Sequence, residues 1–108
     1  MVKVYNKLVR DKIPEIIKEK GKTANYRILN DEEYRQALKD KLVEEVNEFL
    51  NAKTKEEMIE ELADVDEVLV RIKVVENIDF NHFRYIKAKK EVEKGNFRKK
   101  YFLESVED

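Results

Sequence analysis

Leu42-Val43-Glu44-Glu45-Val46-Asn47-Glu48-Phe49 and, after a short polar connection, Ile59-Glu60-Glu61-Leu62-Ala63-Asp64-Val65 decide how this chain is read. Both pieces carry apolar residues at helical spacing, and both carry acids three residues apart. Glu45 with Glu48, and Glu61 with Asp64, therefore each share one helical face. Leu38, Leu42, Val46 and Phe49 define the apolar side of the first helix. At about 100° per residue, Glu45 falls at the edge of that side, about 20° from Leu38, and Glu48 about 60° further round. Glu44 points roughly opposite to the core. On the second helix Glu61 falls between Val65 and Val68, inside the apolar arc, with Asp64 about 60° beyond it.

An unpaired carboxylate taken out of water costs several kcal/mol. Glu61 on an apolar arc needs a partner, and so does Glu45. Lys41 lies on the Glu45–Glu48 side of its helix, but one lysine cannot neutralise four acids from two facing helices. A divalent cation can. Oxygen-only ligands without nearby His or Cys favour Mg²⁺, or Mn²⁺, over zinc. Mg²⁺ completes its shell with waters and substrate phosphates, which suits an open groove between helices. The competing reading is a solvated acidic face. It fits Glu44, Glu56, Glu57, Glu60 and Glu67 well, and the four phased acids less well.

Length and composition agree with a helical protein. At 108 residues the chain is expected to form one domain, 1–108, with one modest core. Charged residues make up 44%, with two glycines and one proline, which favours long helices over tight turns. The 23 basic and 24 acidic residues are interleaved, so no nucleic-acid partner is expected. There is no cysteine for a disulfide or thiolate zinc site, and one histidine excludes a multi-histidine metal site. No apolar run reaches membrane-spanning length and the start does not read as a signal peptide, so a cytoplasmic protein is expected.

Outward from the acidic pieces, Asn30-Asp31-Glu32-Glu33 opens the first long helix, and Thr54 with Glu57 suggests a capping box for the next. Met58, Leu62, Val65, Leu69 and Ile72 are expected on the inner face of that helix. Upstream, Asp11 and Pro14 suit the start of a short helix that Gly21 ends. Downstream, Asp79 caps a fourth helix ending near Gly95. Tyr26-Arg27-Ile28-Leu29 and residues 98–103 read as short extended segments able to pair as strands. The fold class is mainly α: a bundle of about four helices with short extended segments near 26–29 and 98–103.

Lys7, Arg10 and Lys12 precede a helix start and could bind phosphates there. Surface charge, with an ion pair to Asp11, is the plainer alternative. Lys87, Lys90 and Lys94 could line the mouth of a groove or lie solvated on the fourth helix. His82 reads as an exposed bystander.

Glu44-Glu45-x-x-Glu48 followed by Glu61-x-x-Asp64 resembles the paired motif of the all-α nucleoside triphosphate pyrophosphohydrolases, which include MazG-like enzymes, dimeric dUTPases and phosphoribosyl-ATP pyrophosphohydrolase. Tyr5-Asn6-Lys7-Leu8-Val9-Arg10-Asp11-Lys12-Ile13-Pro14 is similar to the opening of a small phosphoribosyl-ATP pyrophosphohydrolase-like subgroup. Lys90-Glu91-Val92-Glu93-Lys94-Gly95-Asn96-Phe97 and Phe102-Leu103-Glu104 are similar to its ending. The resemblance implies Mg²⁺-dependent cleavage between the α and β phosphates of a nucleotide, with Glu45, Glu48, Glu61 and Asp64 as catalytic metal ligands and Glu44 marginal. It strengthens Arg10 as a phosphate contact, and Lys7 and Lys12 less so, while Lys90 and Lys94 remain candidates from their place on the fourth helix. It also implies a homodimer or higher homo-oligomer whose bundle a partner completes. Phosphoribosyl-ATP is the rival substrate. A non-catalytic helical oligomerisation or regulatory module is the rival function. Two positions depart from the pattern: Asp66 stands where an apolar residue is usual, and Asn96 replaces a glycine, where it could supply a left-handed backbone.

Overall fold

All 108 residues are described by a computed structural model. Four helices occur in order: α1 (Ile13–Glu19), α2 (Asp31–Leu50), α3 (Lys55–Val75) and α4 (Phe80–Lys94). The chain forms two compact units, residues 1–76 and 77–108.

In the first unit α2 and α3 make the main helix–helix contact. The link between them, residues 51–54, is short, which folds the helices back on each other. Arg35, near the start of α2, reaches Glu76 at the end of α3 at 3.4 Å, as an antiparallel hairpin requires. Leu38 of α2 and Val68 of α3 are its buried apolar side chains. Around them Tyr34, Leu42 and Phe49 on α2, and Val65, Ile72 and Val75 on α3, are half-buried.

The inner stripe of α3 is rotated from the one expected. It runs Glu61, Val65, Val68, Ile72 and Val75, whereas Met58, Leu62 and Leu69 are exposed. Val65 and Ile72 face inward as expected, and the observed stripe is centred about 60° round the helix from the expected one. α3 is apolar over so wide an arc that spacing alone admits either face. Val43, Val46 and Leu50 of α2 are exposed as well.

Local chemistry sets the helix ends. Asn30 Oδ1 accepts from the Glu33 N–H and the Glu33 carboxylate accepts from the Asn30 N–H, a complete capping box. At α3 only half of the expected box forms. Thr54 Oγ1 accepts from the Glu57 N–H, but the Glu57 carboxylate accepts from the Lys53 N–H instead. Asp11 does not cap α1: Lys12 occupies the cap position without a side-chain bond, and Pro14 lies in the first turn, where no N–H is needed.

In the second unit, Asp79 Oδ1 accepts from the N–H groups of Asn81 and His82 at the start of α4. His82 is exposed, its ring 6.4 Å from that of Tyr85. Past α4 the left-handed backbone falls at Gly95, Phe97 and Lys100, not at Asn96. Neither extended segment forms a strand. Tyr26 and Ile28 are exposed, as are Tyr101, Phe102 and Leu103. Apolar residues without a neighbouring edge supply no ladder, and a lone strand is not stable. No helix is long and apolar enough to cross a membrane.

Arg27 clamps Glu33 with two hydrogen bonds, at 3.1 and 2.6 Å. That fork, and then the Asn30 N–H, hold the Glu33 carboxyl at about 2, below its ordinary 4.5. A depressed folded value stabilises the fold above the unfolded value, and the gain is lost as pH falls through the folded one. Arg27→Ala is expected to move the Glu33 titration back toward 4.5 in a carboxyl-detected NMR titration.

Candidate metal centre

Glu45, Glu48, Glu61 and Asp64 meet across the α2–α3 seam. One carboxylate oxygen from each lies within 4.8 Å of the others. The i, i+3 spacing places two acids of each helix one turn apart, and the antiparallel hairpin sets the pairs opposite each other. Burial is graded across the group. Glu45 is only 5% exposed, Glu61 and Asp64 are half-buried, and Glu48 is open to solvent.

Three basic side chains surround the group. Lys41, one turn before Glu45, lies 3.4 Å from Glu45 Oε1 and 3.1 Å from Glu44 Oε2. Lys7 donates to Glu44 Oε1 at 2.8 Å, and Arg10 Nη2 donates to Asp64 Oδ1 at 2.7 Å. None of these cations satisfies the inner oxygens: Glu45 Oε2 and Glu61 Oε2 are buried and accept no hydrogen bond. Five carboxylates, Glu44 included, face three cations, which leaves two negative charges, the charge of one divalent ion.

The electrostatics follow the burial. Burial and then the adjacent Glu48 carboxylate push the Glu45 carboxyl above its ordinary value, against the pull of Lys41. Glu44 goes the other way. Burial raises it, but the bonds from Lys7 and Lys41 together outweigh that and hold it low. Glu44 is thus tied by two lysines and stands outside the four-acid group.

All-oxygen donors, two of them orphaned and buried, fit a hard divalent cation such as Mg²⁺ or Mn²⁺. Lys12 is exposed beside the start of α1. Lys90 and Lys94 are exposed on α4, in the second unit. The pairings of Lys7 with Glu44 and Arg10 with Asp64 were not legible in the sequence. The partners are 37 and 54 residues apart, and no local spacing signals such pairs.

No family model matches the chain, and no solved structure matches it. A protein of Mycolicibacterium smegmatis (strain ATCC 700084 / mc(2)155), described as uncharacterized, is 49% identical over 53 residues, which is 49% of this chain and 54% of that protein. The chain thus spans about half the length of the curated relative it matches.

Replacing Glu45 by Gln keeps the shape and removes the most buried charge. In EDTA the variant is expected to be more stable than the parent by about 1 kcal/mol in urea unfolding. Millimolar Mg²⁺ or Mn²⁺ should raise the melting temperature of the parent and leave that of the variant unchanged.

Proposed function

We propose that this chain is a Mg²⁺-dependent nucleotide pyrophosphohydrolase of the MazG-like kind. It cleaves between the α and β phosphates of a nucleoside triphosphate to give a monophosphate and pyrophosphate, and so clears unwanted nucleotides. The observation that carries the reading is the pair of orphaned oxygens, Glu45 Oε2 and Glu61 Oε2, inside a four-acid group on facing helices. The resemblance of the acidic motif and of both chain ends supports the reaction class.

In this reading Glu45, Glu48, Glu61 and Asp64 hold the metal. When bound, a divalent ion neutralises phosphate oxygens and lowers the pKa of an attacking water. One of the carboxylates takes the proton from that water, directly or through a second water. Arg10 and Lys7, already beside the acids, receive the phosphates, with Lys12 as a further contact. A nucleotide panel that includes phosphoribosyl-ATP tests the proposal. Pyrophosphate release is expected with Mg²⁺ and for some member of the panel. Glu61→Gln should lower it by about 100-fold or more. If nothing is cleaved with Mg²⁺ or Mn²⁺, the enzyme reading fails.

A second reading, a non-catalytic helical oligomerisation or regulatory module, draws on the exposed apolar residues of the hairpin. Val43, Val46 and Leu50 on α2, with Met58, Leu62 and Leu69 on α3, lie open. Both readings place a second copy of the hairpin there, completing a four-helix bundle in a homodimer or larger assembly. Leu62→Glu is expected to shift the protein toward monomer in sedimentation, and an unchanged mass would remove Leu62 from such an interface.

A further inference from the structure

Arg10 is the cation that the arm before α1 bonds to a member of the four-acid group, Asp64, while Lys41 of α2 lies 3.4 Å from another, Glu45. Its backbone is held in place: the Ile13 N–H donates to the Arg10 carbonyl at 3.0 Å, closing the turn that enters α1. Leu8, two residues earlier, is half-buried. Lys7 ties the same arm to Glu44, which is outside the group. The arm is thus fastened without occupying a candidate ligand, and within it Arg10 alone reaches onto one.

The Arg10–Asp64 pair is exposed on both sides, with the side chains 58% and 36% accessible. Exposed pairs of this kind are weak and exchange readily. A phosphate carries more charge than Asp64 and can take two bonds from the planar guanidinium, where Asp64 takes one at 2.7 Å. Resting on the metal reading given above, we propose that Arg10 competes with the divalent ion for Asp64 and is drawn off it by the phosphates of the substrate. Phosphate arrival and metal loading are then coupled through one side chain. Arg10 is a positioning residue for the metal step and a direct contact in the phosphate step.

Titration calorimetry of the full chain separates this from a supporting role. With Mn²⁺ alone, Arg10→Ala is expected to bind the ion about threefold tighter than the parent, because a weak competitor has gone. Arg10→Lys, which keeps a cation, should stay close to the parent. With Mn²⁺ present, inorganic pyrophosphate should bind Arg10→Ala about tenfold more weakly. A residue that merely orients Asp64 would do the reverse, and its removal would weaken Mn²⁺ binding. Equal or weaker Mn²⁺ binding by Arg10→Ala, with the parent binding normally, overturns the competition and leaves the metal centre standing. If the parent binds no Mn²⁺, both fall. Circular-dichroism melts of each variant in EDTA establish that the fold is intact.

Discussion

Like charge buried in a helix–helix seam is the constraint on which the rest of the first unit depends. Glu45 and Glu61 occupy seam positions that an apolar side chain would otherwise fill, and each keeps a buried oxygen without a partner. Desolvation of such groups costs several kcal/mol, while burial of a Leu or Val returns about 2 kcal/mol. With Leu38 and Val68 as the buried apolar residues, the hairpin has little to set against that cost. Its surroundings are arranged accordingly. Lys41 leans in from the same helix, and the arm before α1 brings Lys7 and Arg10. Even so, the compensation is incomplete at the innermost oxygens.

Much of this was legible where the signal is local. Asn30 and Glu33 announce the start of α2, Thr54 announces α3, and Asp79 announces α4, because a capping bond is made within a few residues. Helical phase alone brought Glu45 and Glu61 toward the seam. It underrated Glu45, which is not at the edge but among the most buried residues of the chain. On α3 phase placed Glu61, Val65 and Ile72 correctly but Met58, Leu62 and Leu69 wrongly, for a physical reason. A helix apolar on more than one side has no unique inner face, and the choice between Leu62 and Val68 is made by packing against α2. The ion pairs of Lys7 and Arg10 are tertiary and leave no local trace. The expected strands failed because an extended apolar run signals one face and says nothing about a partner edge.

The exposed apolar residues and the rotated seam have one origin. α3 turns its acid-bearing stripe toward α2, and doing so leaves Met58, Leu62 and Leu69 outside. Turning the helix the other way would bury those residues and swing Glu61 out into water. Assembly of the acidic group and exposure of an apolar face therefore go together in a single hairpin.

The separation of the charges along the chain bears on the order of folding. The four acids fall between residues 45 and 64, within one hairpin. Lys7 and Arg10 must close loops of 37 and 54 residues to reach their partners. Local contacts form before distant ones, because loop closure costs more entropy as the loop lengthens. The repulsive group therefore comes together with Lys41 as its sole cation, and the arm docks afterwards. Docking of the arm answers a charge already gathered, so the N-terminal segment serves as a late electrostatic clasp and not as a nucleus.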